Sequence, residues 1–307
     1  MSDETSHALN PRCSRRAALA GTAAACLFGP TALRAQSPLP SVVASFSILG
    51  DMAREIAPTG IAVTALVGPD ADAHVYSPSP ADAKRLAQAD LVLVNGLGFE
   101  GWMLRMVKAS GYKGPVVEAT AGIQSRRGGH HHGQDPHAWQ DLRHARTYAS
   151  NLAAGLARRW PQRRDEIEAR QRDYIARIDQ LDAQVRQWLD AVPRAHRKVI
   201  TSHDAFGYFG AAYGVDFLAP QGWNTHSEPS AAAVARLIRQ IKQEGVRALF
   251  VENISDPRLI ERISRESGVR IGGKLYSDAL SRPDGPAGSY LKMMEHNARS
   301  LVAALQA

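Results

Sequence analysis

Cysteine is nearly absent: the 307 residues hold two, Cys13 and Cys26, both near the N-terminus. No disulfide framework can be built from such a chain, and its fold must rest on an apolar core, which a 44% hydrophobic composition can supply. Aromatic residues make up only 7%, too few for a stacking platform that would hold single-stranded nucleic acid. No uninterrupted apolar run reaches the roughly 18 residues of a membrane-spanning helix. The formal charge of +7 comes from cations interleaved with acids, whereas a nucleic-acid footprint needs them clustered. Nucleophile machinery is missing as well. There is no GxSxG turn, and Ser202-His203-Asp204 are chain neighbours whose side chains cannot converge as a catalytic relay.

What is present begins with an address. Residues 1–35 read as an export signal, with Ser14-Arg15-Arg16 ahead of an Ala-rich apolar stretch from Ala17 to Gly29. The Arg pair fits a twin-arginine signal, and cleavage is expected after Leu33-Arg34-Ala35, which places the mature protein in the periplasm. Use of Cys26 as an acylated residue is the alternative, although Ala23-Ala24-Ala25 before it lacks the usual Leu. Cleavage removes both cysteines and lowers the net charge from +7 to +5, since four Arg and two acids leave with the segment.

In the remaining chain, strand-like and helix-like runs alternate. Val42–Ile48, Ile61–Val67, Leu91–Val94 and Pro115–Glu118 form one series, and Lys198–Thr201, Val215–Leu218, Ala248–Val251 and Val269–Leu275 form another. Alternation of this kind predicts parallel sheets built from βαβ units. Asp165–Ala191 lacks Gly and Pro and carries an apolar stripe through Ile167, Tyr174, Ile178, Leu181, Val185 and Trp188. Acid-to-Arg pairs four residues apart (Glu166–Arg170, Glu168–Arg172, Asp173–Arg177, Asp182–Arg186) support a helix there. The expected fold is therefore α/β: two similar lobes with four-stranded parallel sheets flanked by helices, joined by one long rigid helix. The boundaries are 36–160 for the first lobe, 161–192 for the linking helix and 193–307 for the second lobe.

Four polar residues stand where such sheets bind ligands, outside the carboxyl ends of strands. His74 follows the second strand, His203 and Asp278 follow strands of the second series, and His137 enters a helix after Asp135-Pro136. Three imidazoles and a carboxylate suit a tetrahedral zinc site. Spacing alone does not decide the matter, because the four are 63, 66 and 75 positions apart and no HExxH or CxxC motif links them. With Asp278 turned away, three histidines and a water would instead resemble a zinc hydrolase. His130, His131 and His132 lie in a Gly-rich loop that catches metal loosely or is merely solvated. His7, His144, His196, His226 and His296 read as ordinary structural or surface residues. Gly96-Leu97-Gly98-Phe99-Glu100-Gly101 matches a dinucleotide fingerprint, with Glu118 ending the next strand, but it follows the third strand candidate instead of the first.

Several segments, taken together and in order, resemble the metal-binding solute-binding proteins of ABC importers, the ZnuA/TroA-like family. They are Ala44–Asp51, His74–Pro78, Asn95–Glu100, Asp135–Trp139, Thr201–Phe206, Glu228–Ser230 and Phe250–Glu252, and the similarity covers Ser41 to Ala307. The resemblance implies two α/β lobes around one long helix, and it makes the GxGxxG a family turn. It carries the metal ligands onto His74, His137, His203 and Asp278. His at position 203, where manganese-type relatives tend to have Glu, points to Zn2+ as the cargo, with manganese or iron as the alternative. The implied role is zinc capture and delivery to a membrane ABC permease, by a monomer that catalyses no reaction. A periplasmic metallochaperone is a further candidate partner, and nucleic acid is not one. The short Gly128–Gly133 loop departs from the long His/Asp/Glu-rich loop of many zinc members. Asp135, Asp204 and Glu252 are expected to orient the imidazoles. Affinity is expected to fall as pH drops through the ordinary His value of about 6.5.

Overall fold

Two parallel sheets of four strands organise the chain in a computed structural model, which describes residues 39–126 and 133–307. The export signal and the His130–His132 cluster lie outside the described residues. β1 (Ser41–Phe46), β2 (Ala62–Val67), β3 (Leu91–Val94) and β4 (Val116–Glu118) build the first sheet in the order β2-β1-β3-β4. β5 (Lys198–Ile200), β6 (Asp216–Leu218), β7 (Ala248–Glu252) and β8 (Ile271–Leu275) repeat that order as β6-β5-β7-β8. The inner strands read as continuous apolar runs because helices cover both faces of the sheet. From Val42 to Phe46 every residue of β1 is buried. In each sheet the order reverses beside the first strand, and crevices for ligands open at the carboxyl ends there.

The connections are α1 (Ser47–Ile56), α2 (Pro80–Ala87), α3 (Met103–Ser110), α4 (Leu142–Arg159), α5 (Arg164–Asp190), α6 (Gly207–Tyr213), α7 (Ala231–Glu244), α8 (Arg258–Ser267) and α9 (Tyr290–Gln306). Their starts follow local chemistry. Ser79 caps α2 with a reciprocal Asp82 bond and Pro80 in the first turn. Asp141, Ser230 and Ser289 accept backbone N–H groups at the starts of α4, α7 and α9. α3 begins at Met103, after the turns that carry the chain from the end of β3. α4 is an 18-residue helix that the periodicity does not announce. Its buried stripe is rich in Ala (Ala145, Ala149, Ala153), which gives little contrast against its neighbours.

α5 is 27 residues long, about 40 Å at the helical rise. It packs on α4 and α1 from the first half and on α6 and α9 from the second. The buried stripe is the expected one with a single change: Leu189 is fully buried, while Trp188 is half-exposed beneath the Arg299 guanidinium at 4.1 Å. Of the expected pairs within α5, Asp182–Arg186 forms at 3.0 Å. Glu166 pairs instead with Arg163, Arg177 reaches Glu55, and Arg170 donates to the carbonyls of Arg54 and Glu55. These arginines thus tie α5 to the last turn of α1, where cations also complement the helix dipole.

One large hydrophobic core includes residues of both sheets, α5 and α9. A second, smaller core lies between the outer face of the second sheet and α7 and α8, through Ile200, Val234, Ile241, Leu249, Ile260 and Ile263. Among the described residues no helix is long and apolar enough to cross a membrane.

Candidate metal centre

The fold brings His74, His137, His203 and Asp278 to one point. Their ligand atoms all lie within 4.8 Å of one another, and all four residues are buried. His74 stands on the loop after β2. His137 opens a short 3-10 turn (Ala138–Gln140), His203 follows β5 and Asp278 follows β8. Asp278 Oδ2 is 3.2 Å from His74 Nε2 and 3.1 Å from His203 Nε2, and Oδ1 is 3.6 Å from His137 Nε2. A zinc ion about 2.0–2.1 Å from four tetrahedral donors would separate them by about 3.3–3.4 Å. His74 Nε2, His137 Nε2 and Asp278 Oδ1 are buried and make no hydrogen bond of good geometry, a lining that a bound cation would satisfy.

Two of the three imidazoles are aimed from behind. His137 Nδ1 sits 2.8 Å from Asp135 Oδ1, which also accepts the His137 backbone N–H. His203 Nδ1 is 2.6 Å from Glu252 Oε2, and Glu252 Oε1 accepts the His203 backbone N–H at 2.8 Å. Carboxylates here fix the tautomer that leaves Nε2 free for a cation. His74 is set through its backbone, whose N–H donates to Asp72 Oδ1 at 2.8 Å. Of the three expected orienting carboxylates, Asp135 and Glu252 take that position. Asp204 directs its own backbone N–H to the carbonyls of Gln221 and Gly222. Asp72 escaped the sequence reading, although a carboxylate two residues before a ligand is the same signal as Asp135 before His137.

Three aromatic side chains wall this point. Phe46, Phe99 and Trp139 form a cluster with ring centres 4.8 to 5.1 Å apart, and His74 lies edge-on to Phe99 at 4.7 Å. Burial against this wall competes with the charged neighbours to set each group's protonation. It drives His74 below the ordinary imidazole value, with Asp278 pulling the other way. His137 meets the same penalty, but Asp278 and Asp135 outweigh it and push it up to about 9. His203 is likewise carried well above its ordinary value, against burial, by Glu252 and Asp278. Asp278 falls well below the carboxylate range despite burial, because His203 and His137 hold it ionised.

The GxGxxG turn supports this centre and offers no phosphate cradle. Glu100 folds back into it, accepting the backbone N–H of Asn95 at 2.6 Å and the Ser45 hydroxyl at 2.5 Å. A pyrophosphate would need such backbone donors for itself. Gly96 has φ +93°, and a Cβ there would lie 2.2 Å from Glu118 Oε1. Asn95 donates to the Pro136 carbonyl and accepts from Tyr148, and Trp102 Nε1 donates to the Ala73 carbonyl, so the turn braces both the His137 and the His74 loops.

Comparison with known proteins finds matches among metal-binding substrate-binding proteins of ABC transporters. The family model described as ZnuA, zinc-uptake complex component A, periplasmic, matches residues 42–304. The zinc-binding protein TroA of Treponema pallidum is 33% identical, over 87% of this chain and 89% of its own. Its solved structure superposes with a TM-score of 0.83, covering 87% of this chain and 99% of that one at 32% identity. The manganese-binding lipoprotein MntA of Halalkalibacterium halodurans is 32% identical, over 86% and 88% of the two chains. The iron ABC transporter substrate-binding lipoprotein MtsA of Streptococcus pyogenes is 31% identical, over 86% and 88%.

Proposed function

We propose, from the premise that this chain belongs to the ZnuA family of metal-binding substrate-binding proteins of ABC importers, that it captures Zn2+ outside the cytoplasm and hands it to a membrane permease. His74, His137, His203 and Asp278 are the proposed ligands. Lobes 36–160 and 193–307 flank the ion, with helix 161–192 at their back. The observation that carries the reading is the convergence of three imidazole nitrogens and a carboxylate, buried and mutually spaced for one small cation. Residues 1–35 would direct export to the periplasm, where a metallochaperone is a candidate donor, and the protein works as a monomer.

Three nitrogen donors favour zinc over manganese, which prefers oxygen. The manganese reading keeps one support: both oxygens of Asp278 face the imidazoles, as a bidentate carboxylate on a larger coordination shell would. A hydrolase needs an open position for water, and Asp278 as the proposed fourth ligand would leave none. The role is capture and release, with no bond made or broken in a substrate.

The test is native mass spectrometry of the metal-stripped protein given Zn2+, Mn2+ or Fe2+ under chelator competition. One zinc retained against chelator, and lost in His203→Ala, is the expected result. Retention of manganese but not zinc would transfer the reading to the other metal. Retention of no metal would overturn it.

A further inference from the structure

The four ligands divide unequally between the two halves of the chain, and the division does not follow the sheets. Asp278 follows β8 of the second sheet, yet the first half grips the segment that carries it. Trp139 Nε1 and Gln140 Nε2 both donate to the Ser277 carbonyl, at 2.9 and 2.8 Å. Leu280 donates its N–H to Ser47 Oγ at 3.0 Å, and its carbonyl accepts the Asp70 N–H at 2.9 Å. Four hydrogen bonds from three separate first-half segments therefore set the backbone on both sides of Asp278, beside those that Asn297 and Asn253 of the second half make to Tyr276 and the Ala279 carbonyl.

His203 is held differently. Its backbone N–H goes to Glu252, and its carbonyl accepts the Thr201 hydroxyl. It pairs with Gln221 as an isolated bridge, and the next N–H, of Asp204, also goes to Gln221 and Gly222. All of these partners belong to the second half. Behind the segment lies a cavity of about 680 Å3, lined by Ser202, Gln221, Thr225 and Glu228 among others. Ser202 Oγ is buried beside it without a hydrogen-bond partner. The loop over this cavity has a link to the first half in the Thr225 hydroxyl, which donates to Asp72 Oδ2 at 2.5 Å. Asp72 is the residue that also sets His74. Beyond His203, α6 is fastened back to the first half, where Tyr208 donates to the Asp135 carbonyl at 3.0 Å. Those ties hold the body of the second half in place.

We infer that metal exchange is local. His74, His137 and Asp278 form a preassembled three-ligand face. His203 moves together with loop 221–228 into the neighbouring cavity, and the Thr225–Asp72 hydrogen bond is the latch that closes it. Trp139, Gln140 and Ser47 are positioning residues for Asp278. The inference rests on the metal-capture reading above and deepens it.

Amide hydrogen exchange of the metal-stripped and Zn2+-loaded protein separates the two. The expected result is that segments 201–204 and 221–228 gain protection on zinc loading, while 276–281 is already protected without metal. Gains of similar size in all three segments would overturn the preassembled face but leave the metal site standing. No gain in any of them would overturn the site itself and this inference with it. Zinc dissociation into excess chelator tests the latch. Thr225→Val is expected to release zinc about tenfold faster, the scale of a lost hydrogen bond to a charged group, with unchanged thermal stability, and Thr225→Ser to restore the wild-type rate. A Thr225→Val variant that releases zinc at the wild-type rate, or a Thr225→Ser variant as fast as it, would overturn the latch.

Discussion

The two sheets share a strand order and differ in how firmly they are built. β1 of the first sheet is six residues long and buried from Val42 onward, whereas its counterpart β5 has three residues. The first sheet lies wholly against the large core. The second is divided, with its outer face on a small core of nine buried residues shared with α7 and α8. One topology thus supplies a half backed by the large core and a half whose core is divided. Local stability follows buried apolar contacts, so parts that must open are drawn from the weaker side.

Removing a donor is the harshest test of this comparison. His137→Ala and Asp278→Ala are each expected to weaken zinc binding by more than about 100-fold, the upper range for loss of a mere supporting partner. His203→Ala should keep association nearly as fast as wild type and lose affinity through faster release. Stopped-flow kinetics against a chromogenic chelator distinguishes the cases. Equal losses of association rate in all three variants would erase the difference between the halves.

The supporting carboxylates come next. Glu252→Gln and Asp135→Asn remove charge 2.6 and 2.8 Å behind an imidazole while preserving shape. Each is expected to cost about 10- to 100-fold in zinc affinity, read by competition titration. A smaller loss for Glu252→Gln would mean that the backbone of the second half aims His203 without the carboxylate.

Proton linkage is smaller again. Zinc needs neutral imidazoles, and His137, at about 9, and His203 hold protons above neutrality in the metal-free protein. If these residues hold the metal as proposed, binding at pH 7 releases protons, and affinity is expected to climb with pH up to about 9 instead of levelling near 6.5. That moves the window expected from the ordinary histidine value upward. Calorimetry in buffers of different ionisation enthalpy measures the release. A binding enthalpy independent of buffer would refute it.

The smallest expected effect concerns the join between α1 and α9. Asp51 accepts the Tyr290 N–H at 2.8 Å, and burial raises its pKa to about 6 from 3.8. The native state then keeps a proton that the unfolded chain has lost between those values. Stability accordingly falls as pH rises from about 4 to 6, and the penalty persists above 6. Asp51→Asn should flatten that part of the Tm-against-pH curve. An unchanged slope would show that Asp51 is not its source.

Much of this was legible in the residues themselves. The inner strands, buried on both faces, must be short continuous apolar runs, and strand-like and helix-like runs alternate on either side of them, so all eight strands could be placed to within a residue or two. A 27-residue helix that rests on helices from both halves must carry an apolar stripe, and α5 does. A sheet that binds at the carboxyl ends of its strands narrows the ligand candidates to polar residues just past them, which singled out His74, His203 and Asp278. His137 needed its Asp-Pro-His setting and the family likeness. Tertiary structure decided the rest. Alanine gives a helical stripe little contrast, so α4 emerged only from its packing. The Arg170 and Arg177 side chains are long enough to choose partners on another helix. Which carboxylate stands behind which imidazole, how Glu100 closes its own turn, and which half grips Asp278 depend on backbone groups brought together from segments as much as 233 positions apart. Hydrogen bonds act over about 3 Å of space, whatever the distance along the chain, and a linear pattern carries no record of them.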